Sequence, residues 1–510
     1  MKKARSSIVK RGLVYYFIML ILFSSGVYLV LNAGKSLPNH GWQQINSIAD
    51  SDSQDIIFSK TEEEAGFSID WLSGPIHSIK ENLSQPLSIA LLQIIIIIAL
   101  SRVFSFLMKQ VGQPAVIGEI IAGIFLGPSL LGTLFPEAWA ATFPLSSIAN
   151  LHSISTIGLS LFMFIIGIDL DVSMLNKRIQ TALFVSHASI LFPFLLGTLL
   201  SFQLYDGFAQ GGTSFLTFSL FMGVSMSITA FPVLARIIQE RGLSRTPLGV
   251  MAITCAATDD ITAWCILAVV IAIAKAGDLS SVFFTLVLAS GYVYFMFKVA
   301  RPFLLKISRK MKEKGQINRP FIAIAILTLL SSAFIAEIIG IHALFGAFLA
   351  GVTMPQDVKI RETLRNKIED VSLLMFLPIF FAYTGLKTQI GLLLTDGLWK
   401  VCALVIFCAV VGKVFGTLVA ARLMGQSWKN SFSLGALMNT RGLMELVVVN
   451  IGYDLGIITP GMFVVLVLMA IATTLMTGPL LNLIEKIWPE TSRTKASEGK
   501  ETTQPTLVVD

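Results

Sequence analysis

From Pro86 to Ile484 the chain is a succession of apolar segments, each about as long as a membrane-spanning helix, joined by short polar connections. A bilayer core about 30 Å thick is crossed by roughly 20 apolar residues of helix, and backbone polar groups inside it are satisfied only within helices or closed barrels. These runs lack the ~10-residue alternation of barrel strands. The sequence therefore reads as an all-α polytopic membrane protein. Its 14% charged residues against about 25% in soluble domains, and a mean hydropathy of +0.77, agree. The net charge of +7 resides in short loops and reflects orientation in the bilayer, so no nucleic-acid partner is indicated. Cys255, Cys265, Cys402 and Cys408 all fall in apolar segments and read as packing residues.

Four regions are expected. Residues 1–33 read as an N-terminal signal anchor, with a cleaved signal peptide as the alternative: the start is basic and the apolar run is longer than that of a typical signal peptide. Residues 34–85 are an acidic extracytoplasmic segment, residues 86–484 a thirteen-helix domain and residues 485–510 a polar cytoplasmic tail. No glycine-rich nucleotide fingerprint stands in the tail, and no cofactor is expected. The thirteen spans are placed at 87–108, 114–134, 148–169, 179–203, 213–238, 247–274, 280–300, 319–339, 341–355, 371–390, 396–421, 430–452 and 460–484. Loop charge tests the count, because one missed span would reverse every later loop. Alternate loops carry Lys109; Lys177 and Arg178; Arg236, Arg241 and Arg245; then a basic run from Lys306 to Arg319, whereas 135–147 and 204–212 have no Lys or Arg. The alternation puts both termini in the cytoplasm, with the protein in the cell (inner) membrane.

Within the span 247–274, Asp259 and Asp260 are adjacent at mid-membrane. An ionised Asp at a bilayer centre costs roughly 2.5–3.5 kcal/mol on insertion scales, so an intramembrane acidic pair is a functional hypothesis by default. The span before it is interrupted by Ser227, Thr229 and Pro232, and the span 430–452 by Asn439, Thr440, Arg441 and Gly442. Paired interruptions in two halves point to a transporter binding site. Segments 179–274 and 396–484 each hold three spans with the middle one broken, and loop charge gives them opposite orientations. They read as an inverted repeat. Lys413, mid-helix before the second break, is as costly there as an acid and calls for an acidic partner, as the acidic pair calls for a cation; Asp259 with Lys413 as a purely structural ion pair would leave the second carboxylate uncompensated. Arg441 and Glu445 stand at i and i+4 and are expected to neutralise each other and compensate helix dipoles. Glu119 and Asp169 fall near span ends, where a carboxylate can reach water.

The runs Gln113–Gly123, Leu126–Ser129, Ser227–Arg236, Gly346–Gly351 and Pro378–Phe381 resemble the signatures of the second family of monovalent cation:proton antiporters. Thr258–Trp264 and Gly385–Thr388 are most similar to its plant and fungal cation/H+ exchanger branch. The resemblance covers 87–484. It implies a sodium/proton antiporter fold in which a mobile core domain carries two crossed broken helices and a panel domain forms a homodimer. It also implies that Asp260 is the essential ion-binding acid, with Asp259 and Lys413 the set found in electrogenic sodium/proton members. The flanking motifs resemble potassium-handling members, so Na+ and K+ both stay open.

The expected mechanism is competition between protons and a dehydrated monovalent cation at the Asp259–Asp260 pair, chiefly at Asp260, while Lys413 bonds Asp259 when the site is protonated or empty. Hard alkali cations take oxygen ligands, and Thr229 with the backbone near Asn439 can supply them. By family analogy, translocation is a rigid-body movement of core against panel. A cation channel or cation-coupled symporter on the same scaffold is the alternative. An intramembrane aspartyl protease is suggested only by Tyr453-Asp454, without the partner Gly-x-Gly-Asp.

Overall fold

The computed structural model describes residues 2–35, 37, 82, 83, 85–169, 179–244, 246–275, 279–313, 319–394 and 397–489. Most of the acidic segment and the tail beyond residue 489 lie outside them. Every regular element among the described residues is helical, apart from an isolated bridge between Ala209 and Ile458.

The helices are α1 (Lys2–Gly34), α2 (Pro86–Gln110), α3 (Ala115–Leu126), α4 (Leu145–Asp169), α5 (Ile179–Phe208), α6 (Phe215–Ser225), α7 (Phe231–Glu240), α8 (Pro247–Lys275) and α9 (Leu279–Phe295). They continue with α10 (Arg301–Glu313), α11 (Arg319–Ile339), α12 (Ala343–Thr353), α13 (Val358–Val371), α14 (Leu377–Lys387), α15 (Leu398–Leu423), α16 (Trp428–Met438), α17 (Leu443–Asp454) and α18 (Pro460–Ile487). Among the described residues, eleven helices, α1 included, are long and apolar enough to cross a membrane, and the bent pair α16–α17, taken as one span, makes twelve. The expected spans 213–238 and 341–355 fall short for identifiable reasons. The first divides into α6 and α7, and the second is helical over only the 11 residues of α12.

Two basic connections are helical rather than loops. α10 prolongs α9 through a wider turn, and α13 runs into α14 in the same way. In α13 the residues Ile360, Leu364 and Ile368 repeat every four positions and are buried, with charged residues between them. That one-sided pattern holds the segment as a helix against α4.

Packing divides the described helices into two bodies. α5 to α8 and α15 to α18 pack on one another, with α1 laid against α5; α2, α3, α4, α11, α12, α13 and α14 form the second body. α9 touches α8 of the first and α11 of the second. In the single chain few residues of Ser280–Lys310 (11%) and Pro86–Gln110 (17%) are buried, against 67% for Ser146–Asp169, so α9 and α2 lie on the outside while α4 is interior.

The internal repeat reaches further than the two trios with broken middles. In the second body, α3 meets α14 at Gly123 and Gly385, and α12 meets α4 at Gly351 and Gly167. A Cβ on Gly385 would stand 1.9 Å from the Gly123 carbonyl carbon, and one on Gly351 2.1 Å from the Phe164 oxygen. Small residues let membrane helices approach this closely. Hydrogen bonding repeats as well: Ser105 Oγ on α2 donates to the Ala115 carbonyl at 3.0 Å, and Ser332 Oγ on α11 to the Gly346 carbonyl at 2.6 Å. Thus α2–α8 and α11–α18 are two matching halves with α9–α10 between them. The ends of α2 and α7 share a face with Lys109, Arg236 and Arg241, the basic face. The ends of α14 and α17 meet at the far face.

Candidate ion-binding site

Two interrupted helices cross at the centre of the first body. α6 ends at Ser225 and α7 begins at Phe231; α16 ends at Met438 and α17 begins at Leu443, bent by 42°. Pro232 lies in the first turn of α7, where its missing N–H costs no helical bond. Expected as an interruption within a helix, Pro232 is instead in the opening turn of one. Gly442, at φ 158°, supplies backbone freedom at the second break. The non-helical stretches touch where the Ala230 N–H donates to the Thr440 carbonyl at 3.0 Å.

Four helix ends converge here, and charged side chains meet them. Arg441 donates to the terminal carbonyls of α6, Ser225 at 3.0 Å and Met226 at 2.5 Å, and pairs with Glu445 at 2.9 Å. Both side chains are fully buried. The cation thus faces a negative helix end, and Glu445 stands in the first turn of α17, where an anion is favoured. The Arg441 N–H also donates to Thr474 Oγ1, whose hydroxyl returns a bond to the Arg441 carbonyl.

Asp259 and Asp260 are both buried on α8 in unlike surroundings. Asp259 accepts from Ser186 Oγ at 2.5 Å, Ser189 Oγ at 3.0 Å, Thr229 Oγ1 at 2.8 Å and Lys413 Nζ at 3.1 Å. Lys413 is itself fully buried and also donates to Ser189 Oγ at 3.0 Å and Thr229 Oγ1 at 2.6 Å. Neither carboxyl oxygen of Asp260 has a hydrogen-bond partner among the described residues. The Phe231 backbone amide, at the positive end of α7, is turned toward Asp260 without meeting hydrogen-bond geometry. Beside Asp260 is a cavity of about 10 Å³ lined by Ile228, Ala263, Trp264, Leu267, Met444 and Val448. That is about the space of a single water-sized occupant.

The expected residues thus divide into sets. Asp259, Lys413 and Thr229 form one network, with Thr229 Oγ1 also 3.2 Å from the Met438 carbonyl. Thr229 therefore stands with Asp259, not with Asp260. Asn439 is on the second break; its amide donates to the Thr473 carbonyl at 3.3 Å and its Oδ1 has no partner among the described residues. Ser186 and Ser189 are absent from the sequence reading. Their signal is two serines one helical turn apart on the helix preceding the first break. Glu119 is not at a water-accessible end: it is 7% exposed, with Oε2 unpartnered among the described residues and Oε1 3.5 Å from Ser105 Oγ. Asp454, the half-signature of an intramembrane protease, pairs with Lys387.

A helical membrane protein with two matching halves, whose broken helices cross beside a buried carboxylate, has the architecture of a secondary transporter. The sequence profile described as sodium/hydrogen exchanger, transmembrane, matches residues 94–484. The chain is 44% identical over 404 residues to the Na(+)/H(+) antiporter NhaS4 of Synechocystis, covering 79% of this chain and 98% of that protein. It is 39% identical over 428 residues to Cation/H(+) antiporter 17 of Arabidopsis thaliana, covering 83% of this chain and 51% of the relative, so it spans about half of that longer protein. Its fold is similar to that of the sodium proton antiporter MjNhaP1 from Methanocaldococcus jannaschii, with a TM-score of 0.59 at 16% identity, covering 80% of this chain and all of the other. The chain belongs to the sodium/hydrogen exchanger family of cation:proton antiporters, and it is a transporter, not an enzyme.

Proposed function

We propose that this chain exchanges a monovalent cation, Na+ or K+, for protons by letting the two compete for Asp260. The observation that carries this reading is the charge balance at the crossing. Lys413 answers Asp259 and Arg441 answers Glu445, which leaves Asp260 as the one unanswered charge of the five. A buried carboxylate without a partner binds either a proton or a cation, and competition between them couples their movements. Backbone carbonyls of the breaks and Asn439 Oδ1 are the oxygen ligands within the fold's means, with Thr229 acting through Asp259 and Lys413.

Alternating access is then a movement of the first body against the second, the division that the packing draws. The basic face is assigned to the cytoplasm by the positive-inside rule. Both termini fall on that side, the protein resides in the cell (inner) membrane, and the homodimer forms through the second body.

The test is a pH-gradient dequenching assay in proteoliposomes with Na+, K+, Li+ or Rb+ added in turn. Wild-type protein is expected to dissipate the gradient with at least one cation, and Asp260→Asn to give the protein-free baseline with all of them. Exchange by Asp260→Asn at the wild-type rate would remove Asp260 from the site, and a conductance without counter-transported protons would identify a channel instead.

A further inference from the structure

Two spaces between the bodies, one at each face, differ in size, and the smaller one lies beside polar contacts between the two bodies. At the basic face, a cleft of about 450 Å³ separates Lys109, Gln113 and Pro114 of the second body from Arg236, Glu240 and Arg241 of the first. At the far face, the equivalent space between His152, His342 and Tyr383 on one side and Asn450 and Asp454 on the other narrows to about 30 Å³. Lys387, at the end of α14, forms an ion pair with Asp454, at the end of α17. Its Nζ lies 4.2 Å from the ring centre of Tyr383 on its own body and 5.2 Å from that of Tyr453 on the other, an arrangement that favours the cation at the seam. One turn deeper, Asn450 Nδ2 donates to Thr384 Oγ1 at 2.9 Å, again from one body to the other. A further pair, Lys275 with Glu337 at 3.5 Å, joins α8 to α11 at the same face.

The internal repeat supplies a control. Lys387 stands two residues after Gly385, and Asp169 stands two residues after Gly167, the matching close-approach glycine. Asp169 is at the basic face, but its carboxylate lies 3.9 Å from Arg365 and its carbonyl accepts from Arg361, both in its own body. The far-face position binds across the seam; its counterpart binds within one side.

We propose that Lys387 and Asp454 form a clasp specific to the conformer whose site communicates with the basic face, and that the clasp must part before the site can open to the far face. Lys387 and Asp454 thereby set the balance between the two access states without touching the transported ion. Lys387 is 14% exposed and Asp454 38%, so the contact is a modest bias on an equilibrium and not a lock.

This inference rests on the two-body movement proposed above, and the experiment separates the two. In a protein with its four cysteines replaced by alanine, Ser155→Cys reports on the far-face cleft and Gln113→Cys on the basic-face cleft, each read as the rate of labelling by a membrane-impermeant maleimide. Loss of the clasp in Lys387→Met or Asp454→Asn is expected to raise far-face labelling about fivefold and to lower basic-face labelling. The exchanged pair Lys387→Asp with Asp454→Lys is expected to return both rates toward the parent values, which a merely misfolded variant would not do. If the parent's two labelling rates shift in opposite directions with cation and pH but are unchanged in Lys387→Met, the clasp is wrong and the movement stands. If neither reporter responds to cation or pH in the parent, the movement fails and the clasp with it.

Discussion

Asp259 and Asp260 are neighbours on one helix and equally removed from water, yet one lies in a saturated network and the other in an apolar pocket. The cause is geometric. Consecutive helical residues point about 100° apart, so Asp259 faces Ser186 and Ser189 on α5 with Lys413 on α15, whereas Asp260 faces Ile228, Trp264 and Met444. Under the function proposed above, a doubled acid in a membrane helix is not a doubled binding site. One carboxylate anchors a buried lysine where the halves of the repeat meet, and the other stays available.

Stability measurements can break or sharpen this contrast. The largest effect is expected for Asp259→Asn, which leaves the Lys413 ammonium buried beside a neutral side chain. Breaking one side of a buried pair costs about 3–5 kcal/mol, read as a large fall in the melting temperature of the purified protein. Adding Lys413→Met to Asp259→Asn removes both charges together and is expected to recover most of that loss; a double variant as unstable as the single one would mean that the pair is not the main structural partner. Ser186→Ala, which removes one hydrogen bond to the carboxylate of Asp259, is expected to cost about 1.5–3 kcal/mol. The smallest change is expected for Asp260→Asn, whose carboxylate has no partner to lose: a melting temperature within a few degrees of wild type, or above it, alongside the loss of exchange. A fall as large as that of Asp259→Asn would show Asp260 to be held by contacts the contrast denies.

Much of the first body is legible in the sequence. Apolar runs, loop charge and the two polar breaks suffice to place the inverted trios, and the cost of a buried lysine points to a partner in the acidic pair, while the choice of Asp259 comes with the family resemblance. Three features are not legible there. Pro232 carries the same local signal whether it interrupts a helix or opens one, and only the position of Ala230 against Thr440 distinguishes them. The glycine pairs Gly123–Gly385 and Gly167–Gly351 join segments far apart in the chain, and a small residue announces close approach without naming its partner. Thr229, on the first break, lies within hydrogen-bonding range of Asp259 Oδ2 and the Met438 carbonyl, and the choice between Asp259 and Asp260 is a matter of rotation about α8 that spacing alone does not express.

The most direct test of the central claim is the apparent KM for the cation measured across pH in proteoliposomes. One proton competing with one cation at Asp260 predicts that, on the acid side, KM rises about tenfold for each unit by which the pH falls while the maximal rate holds, because binding linkage is reciprocal. The double variant Asp259→Asn with Lys413→Met, where it exchanges at all, is expected to keep that slope because Asp260 remains. A maximal rate that falls with acid at constant KM would place the proton elsewhere and contradict the assignment of both ions to one carboxylate.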